Sequence, residues 1–150
     1  MNFVFEEDKK NMLLDKLCGL PLRHQVKEFA IEDAVLSAKN LENLFKSNLL
    51  QSIQCLNLPK NSLGNKGIAP IFQSDRLRLI RKLDISSNNI TGEEGGRIVA
   101  DSKSFPSLAC LDLRFNKLTH EGFRVLIQSK NYPALMSLKV DKNRLEDNGA

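Results

Sequence analysis

The chain has 150 residues, 41% of them hydrophobic and 27% charged, which is the balance of one globular domain or a piece of one. Twenty-two basic against 18 acidic residues leave a net charge of +4, a mild and mixed excess below the usual footprint of a nucleic-acid binder. No apolar run approaches the length of a membrane helix, and the start Met1-Asn-Phe-Val-Phe-Glu-Glu-Asp8 lacks the basic-then-apolar order of a signal peptide. Three cysteines, an odd number without a leader, point to reduced thiols and a cytoplasmic setting.

In chain order, the first predicted element is a helix over 6–18. Glu6, Glu7 and Asp8 favour its N-terminus through the macrodipole, Leu14, Leu17 and Cys18 lie on one face, and Gly19 and Pro21 stop it. Residues 1–25 are therefore expected to be a helical half-repeat that caps the first repeat unit. From Val26 one pattern recurs. Val26-x-x-Phe29-x-Ile31-x-x-Ala34-x-Leu36 is its degenerate form. Ile53-x-x-Leu56-x-Leu58-x-x-Asn61-x-Leu63 is a full copy, repeated from Ile80, Leu108 and Leu135 with Asn88, Asn116 and Asn143 in the ninth position. The units are read as 26–52 (degenerate), 53–79, 80–107 and 108–134 (full), and 135–150 (truncated).

Past each last apolar position stands a glycine: Gly67, Gly95, Gly122 and Gly149. Gly95 arrives one residue late, which explains the one unit of 28 rather than 27. Asn40 takes the place in the degenerate unit, a swap that suits a left-handed backbone site. Next come apolar residues at helical spacing: Leu41, Leu44, Phe45; Ile68, Ile71, Phe72; Gly96, Val99, Ala100; Phe123, Leu126, Ile127. The alternation around Leu56 and Leu58 has the period of a strand. Each unit thus reads strand, turn, helix, with right-handed connections. Pro106 and Pro133 fit as helix stops before the next strand. One such unit cannot bury its own apolar face, so the units must stack. Asn61, Asn88, Asn116 and Asn143 fall where each strand ends, and there an amide can bond turn backbone that no strand ladder reaches.

The pattern L-x-x-L-x-L-x-x-N-x-L resembles the leucine-rich repeat family over residues 53–149, and to about residue 7 with the degenerate units. The 27–28 spacing, with Leu118-Thr119-His120-Glu121-Gly122 and Leu145-Glu-Asp-Asn-Gly149, is similar to the ribonuclease-inhibitor type. The resemblance implies an α/β, right-handed leucine-rich-repeat solenoid, with a curved parallel sheet on the concave face and helices on the convex face. It also implies protein binding. Ala34 and Asn40 depart from the pattern, in the first unit.

Residues that carry other chemistry do not assemble in this register, so no catalytic residue, metal site or cofactor is expected. His120-Glu121 begins a zinc-helix motif, but Arg124 stands where its second His should be. Asp141-x-Asn143 begins a calcium loop, but Leu145 occupies the third ligand position. The glycines of 64–67 and 92–96 have repeat-register explanations, Asn89-Ile90-Thr91 is a glycosylation sequon only in a secreted protein, and His24 and His120 belong to different units. Cys55 and Cys110 share one repeat position two strands apart, with Lys82 between. Their Cα atoms should be about 10 Å apart, beyond the ~7 Å a disulfide spans, so free thiols are expected.

Repeat positions three, five and seven should point to the concave face, with eight and ten on its rim. That face runs from acidic Glu28, Glu32 and Asp33 to a basic end. The candidate partner-binding residues are Lys82, Asp84, Asp112, Arg114, Phe115, Lys117, Lys139, Lys142 and Arg144. Arg114 and Phe115 have the chemistry of interface hot spots. Asp84, Asp112 and Asp141 run through the same rows and would repel phosphates, which favours a protein partner over nucleic acid; no membrane partner is expected. The reading is an intracellular protein–protein interaction module, a scaffold or a bacterial effector secreted into a host cell. The alternative is a regulator of an enzyme, of the GTPase-activating or inhibitor kind. The register scatters titratable groups, which argues against an enzyme. The last strand, around Leu138 to Val140, has an open edge, so the chain is expected to be a fragment's monomer or an edge-paired dimer.

Overall fold

The computed structural model describes residues 12, 14, 16–19 and 26–145, and in it the repeat becomes a stack. The elements are β1 (Glu28–Ala30), α1 (Ala38–Lys46), a 3₁₀ turn (Asn48–Ser52), β2 (Cys55–Asn57), α2 (Gly64–Gln73), β3 (Lys82–Asp84), α3 (Gly92–Ala100), β4 (Cys110–Asp112), α4 (His120–Gln128) and β5 (Ser137–Lys139). The strands form one parallel sheet in the order β1-β2-β3-β4-β5, with helices between them, an α/β architecture as the alternating periods require. Met12, Leu14 and residues 16–18 are helical, and Leu14 is buried. The rest of the expected N-terminal helix, His24 and Gly149 lie outside the described residues.

Pairing joins equivalent repeat positions. Glu28, Cys55, Lys82, Cys110 and Ser137 form one row, Phe29, Leu56, Leu83, Leu111 and Leu138 the next, and Ala30, Asn57, Asp84, Asp112 and Lys139 the third. The middle row turns inward, where Leu56, Leu83 and Leu111 are buried against Ile53, Leu58, Ile68, Ile80, Ile85, Leu108 and Leu113. This is the face that a lone unit could not hide. The helices complete the core with Leu41, Leu44, Ile71, Phe72, Val99 and Leu126. Phe72 is shielded by Phe105 from the next unit, ring centroids 5.3 Å apart, and the Tyr132 hydroxyl donates to the Val99 carbonyl over the end of α3. Ile127 occupies the equivalent position in α4 without such a described neighbour and is 57% exposed, so it does not join the core as its spacing suggests.

Strands of three residues make few ladder bonds, and the turns beyond them hold more peptide groups than the strands satisfy. The asparagine row meets that need. Asn88 is fully buried. Its Oδ1 accepts from the backbone N–H of Asn61 (3.0 Å) and Leu63 (3.3 Å) in the previous unit. Its Nδ2 donates to the carbonyls of Leu58 (2.7 Å) and of Ser86 (3.0 Å). Asn61 repeats this toward Ala34 N–H and the Ile31 and Pro59 carbonyls. Asn116 accepts from Asn88 and Ile90 N–H, and Asn143 from Leu118 N–H. Each amide therefore fastens its own turn to the unit before it. Ala34 only receives such a bond.

Room for this row comes from left-handed backbone. Residues at position eight all have positive φ: Asp33 (54°), Lys60 (57°), Ser87 (55°), Phe115 (55°) and Lys142 (59°). None is glycine. The recurring glycines, by contrast, are not left-handed. Gly67, Gly95 and Gly122 sit in the first turns of α2, α3 and α4, and the constraint there is space. A Cβ on Gly122 would lie 2.3 Å from the Gly92 carbonyl oxygen, one on neighbouring Gly96 2.2 Å from that of Gly122, and one on Gly95 2.6 Å from Ile90 Cγ2. These glycines let α3 and α4 pack backbone to backbone. Asn40 has yet another role. It is the N3 residue of α1, and its Oδ1 accepts from Ser37 N–H (3.0 Å) while its own N–H donates to Ser37 Oγ (3.1 Å), a reciprocal cap.

Two glycine substitutions separate space from dihedral. Gly96→Ala drives a methyl into backbone and should cost about 2 kcal/mol or more, lowering Tm by roughly 5 °C. Gly64→Ala meets nothing within 4 Å and suffers only from φ +60°. It should cost about 1 kcal/mol. Thermal melts of the two check the order; a larger loss for Gly64→Ala would contradict it.

Candidate partner-binding face

The side of the sheet away from the helices carries the first and third rows, and the chain after each strand adds positions seven, eight and ten. The backbone there is pinned. Beyond the strands, Phe115 N–H donates to the Asp141 carbonyl (3.0 Å) and Ser87 N–H to that of Arg114 (2.9 Å). Isolated parallel bridges join Thr91 to Lys117 and Thr119 to Arg144, which fixes the rim. Exposed side chains are thus carried on a rigid frame.

At the β1 end, Glu28 accepts from Asn57 Nδ2 (3.0 Å) and Glu32 pairs with Lys60 at 2.7 Å. The hydrogen bond and charge of Glu32 push the Lys60 pKa up. Glu28 and Glu32 are consequently engaged by the neighbouring unit.

At the other end, Arg114 folds back on Asp112. Nε lies 3.0 Å from both carboxylate oxygens and Nη2 2.7 Å from Oδ2. Lys139 Nζ approaches the same Oδ2 at 4.0 Å. The Asp112 side chain is only 7% exposed, the Arg114 side chain 40%. The hydrogen bonds that Arg114 donates to Asp112, then the charge of Asp112, push the Arg114 pKa up, with Asp84 and Asp141 adding to the attraction. Asp112 is therefore not the outward-facing contact its register position suggests. Its Oδ1 also accepts from Arg114 N–H (3.1 Å), and Asp84 does the same for Ser86 N–H (2.9 Å). Both aspartates close the turn after their strand, and Asp112 also draws the Arg114 side chain inward. The signal was in the sequence as Asp at position five with a polar residue two places on.

Phe115 stands beside this pair, 57% exposed. Lys82, Lys117, Lys139, Lys142 and Arg144 are exposed as well, and Asp84 is half-buried. Arg114, Asp112 and Lys139 are brought into contact; Phe115, Lys117, Lys142 and Arg144 line the rim around them, and Lys82 and Asp84 lie on the next strand. Among the described residues no ion pair involves Lys117, Lys142 or Arg144. Cys55 and Cys110 are free thiols, as the spacing of their strands dictates. Three or more His, Cys, Asp or Glu side chains in metal-holding geometry do not occur among the described residues, and no described helix is long and apolar enough to cross a membrane.

A family model described as Leucine Rich repeat matches residues 76–93, the stretch that contains β3 and Asn88. That stretch is of leucine-rich-repeat type. Among solved structures, a tropomodulin C-terminal domain of Caenorhabditis elegans is similar at 16% identity and a TM-score of 0.48, covering 93% of this chain and 66% of that one. Leiomodin-1 actin-binding site 2 is similar at 9% identity and a TM-score of 0.49, covering 94% and 65%. The chain spans just under two thirds of the length of either domain. No curated protein sequence matches it.

Phe115 tests whether its outward position is independent of folding. Left-handed backbone costs a non-glycine residue about 1 kcal/mol, and glycine loses about 0.5–1 kcal/mol more chain entropy on folding. Phe115→Gly should therefore leave Tm within about 2 °C of wild type. A fall beyond about 5 °C would show that the ring packs into the fold after all.

Proposed function

We propose that the chain is a non-enzymatic protein–protein interaction module that holds a partner on the exposed face of its sheet. The observation that carries this is Phe115, an aromatic ring 57% exposed, beside an arginine already oriented by a buried carboxylate. Exposed aromatics and arginines on rigid backbone lose little conformational freedom on binding, which is why they anchor interfaces. The partner is an acidic protein segment with an apolar side chain: the apolar group covers Phe115, and the acids meet Lys117, Lys139, Lys142 and Arg144. Asp84 and Asp141 disfavour a nucleic-acid backbone on the same surface. The free thiols of Cys55 and Cys110 fit a reducing, intracellular compartment. The right-handed, ribonuclease-inhibitor-like curvature belongs to the same proposal, with this face on its concave side, as does the role of scaffold or effector.

The test compares two immobilised baits, the wild type and Arg114→Ala with Phe115→Gly. Proteins held by the wild type and depleted at least about tenfold on the variant are the predicted result, since hot-spot losses exceed about 2 kcal/mol. Identical capture on both baits, with the variant still folded by its melt, would place the partner elsewhere.

A further inference from the structure

Lys82 stands between two thiols. It pairs in register with Cys55 on one side and Cys110 on the other, so the three side chains share one row of the open face. Parallel strands about 4.8 Å apart put either sulfur within the sweep of a four-carbon lysine arm. Cys55 and Cys110 are half-buried and reduced, and Lys82 is exposed. Among the described residues no ion pair holds the Lys82 ammonium. The thiols themselves are too far apart to join each other, about 10 Å across two strands. The amine stands one strand from each of them.

We infer that Lys82 is a modification site for acyl thioesters, with Cys55 and Cys110 as relays that deliver the acyl group to it. In the first step a cysteine thiolate attacks the thioester carbonyl. A cysteinyl S–C bond forms, the donor's S–C bond breaks, and the donor leaves as a free thiol with the proton the cysteine gave up. In the second step the unprotonated Nζ of Lys82 attacks the cysteinyl thioester. An amide N–C bond forms, the cysteinyl S–C bond breaks, and the thiolate takes back a proton from the nitrogen. Nothing is oxidised or reduced, and the sum is acyl thioester plus lysine giving acyl-lysine plus thiol. Holding the thioester beside the amine makes the second step intramolecular, which is where the rate advantage arises. The product loses one positive charge in the middle of the face, and both cysteines emerge unchanged.

The test incubates the full chain with acetyl-coenzyme A in mildly alkaline buffer and maps acetyl-lysine by mass spectrometry. Lys66, Lys103 and Lys130, exposed on other parts of the surface, are internal controls. Lys82 should acetylate about tenfold faster than these or more. Cys55→Ser with Cys110→Ser should bring Lys82 down to their rate, and each single substitution should leave an intermediate rate. Reversible blocking of the wild-type thiols with a methanethiosulfonate should have the same effect and be undone by dithiothreitol, so the result does not depend on a variant folding. A Lys82 rate no higher than the controls, or one that survives removal of both thiols, would overturn the relay.

Discussion

A column of buried asparagine amides is the interaction on which the rest of this structure depends. The strands are three residues long, so sheet hydrogen bonds alone could not carry the backbone from one unit to the next. Asn61, Asn88, Asn116 and Asn143 each spend the acceptor side of the amide on the previous unit. The donor side reaches carbonyls of the previous unit and of their own turn. A buried peptide group without a partner costs about 1–3 kcal/mol, and each of these side chains satisfies several. Stability in such a stack is a matter of nearest-neighbour contacts, and the amides are the polar half of each contact. The leucine and isoleucine rows are the apolar half.

The exposed face of the sheet depends on the same column. For the Asn side chain to turn inward, the residue before it must take left-handed backbone, whatever its type. Its side chain is then thrown outward onto the rim. The same backbone carries Asp33, Lys60, Ser87, Phe115 and Lys142 in successive units. The frame is constant and the chemistry it displays is free to vary, which is how a repeat can present an aromatic ring in one unit, a hydroxyl in another and charges in the rest. Asp112 works on a smaller scale in the same way. It closes its turn and fixes the guanidinium beside the ring.

Residues alone reveal whatever the repeat register determines. The strand rows, the inward leucines, the asparagine column and the separation of Cys55 from Cys110 all result from equivalent positions standing side by side. Three features lie beyond that register. Glycine says only that a Cβ is missing, not whether a dihedral or a neighbour forbids it; for Gly95, Gly96 and Gly122 it is the neighbour. The left-handed positions just before the asparagine row are occupied by Asp, Lys, Ser and Phe, and of these only Asp has a local preference for positive φ. Caps between units are also silent in a single sequence. Ser102 and Ser104 donate to the Phe72 carbonyl at the end of α2, and Ser129 and Asn131 to that of Ala100 at the end of α3. Each reaches back about one repeat, and nothing in its sequence neighbourhood marks the target.

The central claim, that the amide column holds the units together, is tested most directly by calorimetric melts of three variants. Asn88→Ala strips a fully buried amide and leaves two N–H groups and the Leu58 carbonyl short of a partner, while the Ser86 carbonyl keeps the Lys60 N–H. The loss should be about 3 kcal/mol, or roughly 6–12 °C in Tm. Asn143→Ala, at a half-buried site, should lose less, and Lys66→Ala, on the exposed face of α2, almost nothing. Melting temperatures that coincide for Asn88→Ala and Lys66→Ala would contradict the account.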